Sequence, residues 1–267
     1  MWRGDARRCK MGNFMEKFSL KGRKAIITGG ARGLDYGIAE GFRDAGAEIV
    51  LLDINEAVYE SAARLSTPET PVYGVIGDVS DKADLEAAYR ECLEKLGGRV
   101  DILVNGAGIQ YRALAEDFPE DMFRKILDIN LVGLFLMSQL AGRTMLEQGY
   151  GRIINIASLS SFFGASMIAG YTASKGGVAQ LTKVLSTEWA GRGVNVNAIA
   201  PGYMKTELTA DIETKNPEQY KNVCARIPKE RWGTAEDLKG LAIFLASDAS
   251  EYITGTVTLV DGGYAVK

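Results

Sequence analysis

Seven apolar runs punctuate this chain, and each is continuous rather than alternating: KAIIT (24–28), EIVLLD (48–53), VYGVIGDV (72–79), DILVN (101–105), RIINIA (152–157), VNVNAI (194–199) and TVTLVD (256–261). A strand that buries one face alternates apolar and polar residues, whereas a strand buried on both faces does not. Helical stretches lie between the runs. They fall at about 33–45, closed by Gly46; from a cap at Asn55 to about 65; after a cap at Asp81; over about 120–147; around YTASK (171–175); and over 235–245. Strands that alternate with helices make a parallel sheet covered on both faces, and right-handed crossovers make it doubly wound. A polar, irregular stretch at about 202–232 interrupts the pattern. No repeat or linker divides the 267 residues, so one domain, 18–267, is expected to hold the whole sheet.

Composition narrows the chemistry. The chain contains no histidine, which removes Ser-His-Asp triads, Cys-His pairs and HExxH zinc sites, and no metal site is expected. Proton transfer near neutrality then falls to Tyr, Lys, Cys, Asp or Glu. Cys9, Cys92 and Cys224 form no CxxC and read as free thiols of a reducing cytoplasm. A formal net charge of -3 argues against a nucleic-acid surface. No apolar run approaches the roughly 20 residues of a membrane span. The basic leader MWRGDARRCK lacks an apolar h-region and is expected not to be a secretory signal. Met11 or Met15 is a candidate start, with 1–17 a disordered extension.

In an open parallel sheet, ligands bind beyond the carboxyl ends of the strands, where the strand order reverses. Five of the seven predicted strand ends carry residues suited to a dinucleotide. After the first comes TGGARGLD (28–35), where Gly29, Arg32, Gly33 and Leu34 would bring the backbone close to a pyrophosphate resting on a helix N-terminus. A plain glycine-rich turn is the alternative. Asp53, followed by Ile54, ends the second strand. Its carboxylate can accept from both ribose hydroxyls and repels a 2′-phosphate, which predicts NAD over NADP. Arg32 is a counter-signal, and a helix-capping acid is the structural alternative for Asp53. Asp78 and Val79 could bracket an adenine. Asn105, Gly106, Ala107 and Gly108 leave room for ribose and nicotinamide, and Asn105 could tie neighbouring strands together. Pro201, Gly202, Met204 and Thr206 end the sixth strand, near where a carboxamide would lie.

Tyr171 and Lys175 stand four apart, on one face of a helix, with Ser158 upstream. An ammonium beside a phenol favours phenolate and pulls its pKa down from about 10. Such a phenol can exchange a proton with a substrate oxygen that Ser158 holds. Alone, the pair also fits an ordinary solvated helix face.

Together these pieces resemble the short-chain dehydrogenase/reductase family. The matching motifs are TGGARGLD, Asp53, Asp78-Val79, NGAG (105–108), Asn130 in DINLVG, Ser158, YTASK, PGYMKT (201–206) and VDGG (260–263). The resemblance implies a single-domain Rossmann fold of the α/β class with a seven-stranded parallel sheet. It implies Tyr171 as general acid/base, Lys175 lowering its pKa and holding the nicotinamide ribose, Ser158 orienting the substrate, and Asn130 holding a water that links Lys175 to solvent. It also implies a homotetramer packed through the helices at 120–147 and around YTASK.

FSLKGR (18–23), IPKERWG (227–233) and DGGYAVK (261–267) are similar to the family's sugar-acid branch. The expected substrate is a hydroxy or keto acid, or polyol, of gluconate or 2-keto-3-deoxygluconate type. Gln110, Arg112 and Tyr203 are candidate substrate residues, with Arg112 suited to a carboxylate; Phe162, Phe163 and Trp232 are candidate pocket walls. A 3-oxoacyl-carrier-protein reductase or hydroxysteroid dehydrogenase shares most of these phrases.

Two positions depart from the family pattern. Gly106 stands where a second asparagine is usual, and Asp35 where a third glycine is usual. Two unit charges about 5 Å apart, at an effective dielectric near 20, repel by roughly 3 kcal/mol. That would weaken dinucleotide binding about a hundredfold, unless Arg32 compensates, the carboxylate turns away or it is protonated. Asp35 therefore also raises the alternative of a non-catalytic relative that binds dinucleotide weakly.

Overall fold

The computed structural model describes residues 13–206 and 216–266. Its sheet has seven parallel strands in the order β3-β2-β1-β4-β5-β6-β7. They are β1 (Lys24–Thr28), β2 (Glu48–Asp53), β3 (Val72–Ile76), β4 (Ile102–Asn105), β5 (Gly151–Ile156), β6 (Val194–Pro201) and β7 (Val257–Val260). The order reverses between β1 and β4, which pair in register from Ala25↔Ile102 to Thr28↔Asn105.

The pleat decides which helix covers which face. Ile27, Leu51, Val104 and Ile154 point into a core shared with Ile38 and Phe42 of α1 (Gly33–Asp44) and Leu238 and Leu245 of α8 (Glu236–Ala246). Ile26, Leu52, Leu103 and Ile153 point the other way, to Leu85 and Cys92 of α3 (Lys82–Lys95) and Met137 and Met145 of α5 (Leu134–Gln148). Val178 of α6 (Ala169–Trp189) packs on Ala198 and Ala200 of β6. Each fully buried aliphatic side chain contributes about 1.5–3 kcal/mol. The inner strands are thus clamped from both sides, as their continuous apolar runs require, while β3 and β7 at the edges are only partly buried. Asn55 and Asp81 cap as expected: Asn55 Oδ1 accepts from Ala57 N–H at the start of α2 (Ala57–Leu65), and Asp81 accepts from Ala83 and Asp84 N–H.

Five expectations are corrected. β3 stops at Ile76 rather than 79, because Asp78 Oδ1 takes the Ser80 N–H and turns the chain. The stretch 120–147 is not one α-helix: α4 (Glu120–Leu127) and α5 are joined by a π-helical turn, Asp128–Gly133. Gly133 there lies so close to Val79 that a Cβ would stand 2.6 Å from the Val79 carbonyl oxygen. The joined helix, Glu120–Gln148, also has the length and composition of a membrane span, contrary to the reading above, although Ile126, Met137 and Met145 on it are buried in the fold. The stretch 202–232 is not wholly irregular: α7 (Pro217–Arg226) starts from an Asn216 side-chain cap with proline in its first turn. Finally, order begins before Phe18. Asn13 caps a 3-10 helix, Phe14–Phe18, and the Phe18 ring lies 6.0 Å from that of Phe244. Residues 1–12, with Cys9, and 207–215 of the proposed substrate loop lie outside the described residues.

Candidate active site

The crevice beyond β1 and β4 is shaped by close backbone approach. Thr28 Oγ1 accepts from the N–H groups of Gly106 (3.1 Å) and Ala107 (3.3 Å), drawing the two strand ends together. Gly29 has φ +72°, and a Cβ there would lie 2.9 Å from Ala107 N. Only glycine lets the β1 exit pack this closely on the β4 exit. Gly33, also at positive φ, opens α1, whose first backbone N–H groups have no partner within the helix. Arg32 and Ile54 are exposed at the rim and Leu34 is half-buried.

Asp53 Oδ2 accepts from Ala31 N–H (3.1 Å) and Oδ1 from Asn55 N–H (3.0 Å). The carboxylate therefore ties the first loop to β2. Having about four acceptor positions, it retains capacity for ribose hydroxyls. Asp78 is half-buried, whereas Val79 is buried in the core shared with α3 and α5. Asn105 Nδ2 donates to Asn155 Oδ1 and Ser138 Oγ, both at 2.9 Å, so it joins β4 to β5 as expected. Pro201 and Met204 are buried, while Gly202 and Thr206 are half-buried.

Ser158, Tyr171 and Lys175 converge beside this cradle. Ser158 leaves β5 in extended conformation, and its hydroxyl accepts from Ser160 N–H (3.1 Å) and acts to lower the Tyr171 phenol pKa. Ser161 fixes the corner, accepting from Ser158 N–H (3.3 Å) and donating to the Lys175 carbonyl (2.7 Å). Lys175 Nζ donates to the Ile156 carbonyl (2.5 Å) and lies 5.7 Å from the centre of the Tyr171 ring. Asn130 sits in the π-helical turn. Its Oδ1 accepts from Ile109 N–H (2.8 Å), and its Nδ2 donates to the Ile109 carbonyl (2.9 Å) and Ser174 Oγ (3.1 Å). That side chain is committed to holding the loop after β4 against α6.

The electrostatics differ from expectation. Burial raises the Tyr171 pKa, the Ser158 hydrogen bond opposes this, and Asp35 adds to it. The Lys175 ammonium is turned onto the Ile156 carbonyl. Burial lowers Lys175 itself to about 8, with Asp35 opposing. Asp35 bears on both groups. Its Oδ1 is buried without a hydrogen-bond partner. Burial pushes the carboxyl up to about 7, against Lys175 and the residue's own backbone N–H and with the help of Asp53. The carboxyl has turned onto Gly106, where a Cβ would overlap it.

On the substrate side, Gln110 and Arg112 are exposed in the loop after NGAG. Burial raises the Tyr203 phenol, a shift that Arg226 and Arg112 oppose. Three contacts here were not legible as site features. Tyr203 stacks near Tyr264 (5.3 Å) and Trp232 (5.5 Å), and the Arg226 guanidinium lies 4.4 Å from the Tyr264 ring centre. Tyr203, Gln219, Arg226 and Tyr264 line a concavity there. The Asn216-Pro217 start signal could have placed Arg226 on a helix. Trp232 is buried beneath the cluster, while Phe162 and Phe163 are about half exposed beyond Ser158.

Residues 29–265 match a family model described as enoyl-(acyl carrier protein) reductase. Over 260 residues the chain is 44% identical to 2-dehydro-3-deoxy-D-gluconate 5-dehydrogenase of Bacillus subtilis, covering 95% of this chain and 99% of that protein. It is 38% identical over 252 residues to gluconate 5-dehydrogenase of Gluconobacter oxydans, covering 94% and 97%. A crystal structure of a gluconate 5-dehydrogenase from Burkholderia cenocepacia, in complex with NADP and tartrate, superposes with a TM-score of 0.90 at 39% identity, covering 95% and 99%. The chain belongs to the short-chain dehydrogenase/reductase family, whose dehydrogenases bind a nicotinamide dinucleotide. These relatives are sugar-acid oxidoreductases.

Proposed function

We propose that this protein is an NAD-dependent oxidoreductase that interconverts a secondary alcohol and a ketone on a sugar acid of gluconate or 2-keto-3-deoxygluconate type. The observation that carries this reading is the meeting of Ser158, Tyr171 and Lys175 beside a glycine cradle at the strand-order reversal. The open space at Gly33, where a Cβ would meet nothing within 4 Å, and the first N–H groups of α1 suit a pyrophosphate. When bound, the nicotinamide supplies or accepts the hydride.

The chain's own residues handle the proton. Ser158 holds the substrate oxygen, and Tyr171 takes its proton during oxidation or returns it during reduction. Lys175 leaves the Ile156 carbonyl to hold the ribose and favour phenolate. Asn130 orders Ile109 and Ser174 around them. A general base works best with a pKa near the operating pH, and the raised Tyr171 has to be brought down by that movement of Lys175.

Asp53 supports NAD, because its carboxylate would meet a 2′-phosphate as a like charge. The relative's complex with NADP shows what that protein accepts. Arg112 and Arg226, which both act on Tyr203, suit an anionic substrate. Exposed Val132, Phe135 and Val184 support a tetramer built through α5 and α6, which light scattering would test.

The functional test is turnover of NAD with a panel of aldonates and 3-deoxyaldonates, followed by nicotinamide absorbance. Oxidation of at least one C6 sugar acid is expected. Absence of turnover with every hydroxy acid and polyol would overturn the substrate assignment, and absence of NADH binding by calorimetry would favour a non-catalytic relative.

A further inference from the structure

Asp35 and Gly106 belong to different elements, the first turn of α1 and the exit of β4, yet they share one space. A Cβ on Gly106 would overlap the Asp35 carboxyl, so residue 106 has no room for a side chain while residue 35 has one. The two departures noted in the sequence are one structural change: the volume is filled from the helix rather than from the strand. What fills it is a carboxyl, one of whose oxygens has neither solvent nor a hydrogen-bond donor.

A buried acceptor without a donor costs about 1–3 kcal/mol, and more when charged. A carboxyl placed so can relieve this by holding a proton. The groups that bear on it are Lys175 from α6, Asp53 from the end of β2, and its own N–H in α1. It bears in turn on Tyr171. Asn105, Gly106 and Ala107, at the exit of β4, carry no titratable group. Arg32 in the preceding loop is exposed. Among the described residues, the charges that bear on the Asp35 carboxyl are one cation, Lys175, and one further carboxyl, Asp53. Adding a dinucleotide's negative charge there favours the neutral form of the least solvated acid.

We propose that the Asp35 carboxyl, seated in the space left by Gly106, takes up a proton when a dinucleotide binds, making cofactor affinity fall with rising pH. This rests on the cofactor reading above. The proton comes from bulk solvent and is released when the dinucleotide leaves, so the step balances without a further reactant.

The test is calorimetric titration of the full chain with NADH at about pH 7.5, in buffers of different ionisation enthalpy, for wild type and Asp35→Asn. Wild type should take up a substantial fraction of a proton. Asp35→Asn keeps the volume but cannot titrate, and should take up only the small share due to Lys175. Wild-type affinity should weaken roughly tenfold between about pH 6.5 and 8.5, and the variant's clearly less.

A wild-type measurement guards against a variant that fails to fold: NADH should increase the protonated-carboxyl C=O band in the infrared difference spectrum. Equal proton uptake in both proteins, or no gain in that band, overturns the proposal while leaving the cofactor reading intact. Failure to bind NADH at any pH overturns both. The shared space has its own readout. Gly106→Ala should lower the melting temperature in wild type and much less in the Asp35→Gly background; equal losses would show that the two positions are independent.

Discussion

The two halves of the site are built on opposite electrostatic terms. At the β5–α6 half, Lys175 is hydrogen-bonded to the Ile156 carbonyl, Ser158 accepts from Ser160 N–H, and Ser161 bridges the β5 exit to α6. At the β1–α1–β4 half, the backbone is equally well fitted, but it encloses Asp35, whose Oδ1 has no partner. In the first half Lys175, Ser158 and Ser161 have hydrogen-bond partners, although Thr172 Oγ1 beside Tyr171 is buried without one. The second holds a charge problem that the ligand must enter. The contrast shows that a well-placed Ser–Tyr–Lys set says little about how firmly a dinucleotide would be gripped.

The largest expected effect separates the halves. Tyr171→Phe should reduce turnover about a thousandfold through loss of the acid/base, with NADH affinity within about twofold by fluorescence titration. A comparable loss of affinity would mean that the halves are not separable.

The second prediction concerns stability against pH. The folded value of Asp35, about 7, lies above its ordinary 3.8. Between these values the folded chain holds a proton that the unfolded chain releases, so stability falls as pH rises. The contribution is fully present below about pH 4 and lost through about pH 7. Its size is roughly 4 kcal/mol. Chemical denaturation of Asp35→Asn should show this decline removed; an unchanged pH profile would place the carboxyl in solvent.

Asp53→Asn comes next. It keeps the ties to Ala31 and Asn55 partly in place but removes the charge, and should narrow the NAD-over-NADP preference about tenfold in kcat/KM. An unaltered ratio would leave Asp53 with only its loop-tying role. The smallest effect is expected at the exposed rim, where Arg112→Ala should raise the KM for a sugar acid several-fold with little change in kcat, because an exposed charge pair is worth about 1 kcal/mol or less. If kcat falls instead, Arg112 aligns the reacting carbon rather than merely binding the acid.

Much of this was legible without coordinates because it is periodic or local. Continuous apolar runs announced strands buried on both faces, and Asp81 announced the start of α3 by its capping chemistry. The candidate catalytic pair was visible because four residues bring two side chains to one helix face. The irregularities were less visible. Nothing in DINLVG marks a π-helical turn; it follows from Gly133 meeting the Val79 carbonyl and Asn130 reaching Ile109. α7 was overlooked because a polar helix lacks an apolar stripe, although its Asn-Pro start was in plain view.

The sequence by itself therefore determined the sheet, its two-sided burial, the strand-end motifs and the membership of the Ser–Tyr–Lys set. These depend on residue type and spacing along one strand or one helix. Only the tertiary structure decided where charges end up. Gly106 and Asp35 lie 71 positions apart by their numbers, and either looks like an isolated oddity until α1 and β4 are packed together. Burial, which governs whether a carboxyl keeps its proton, depends on every element around it, and so does the lysine that turned from the phenol to the Ile156 carbonyl.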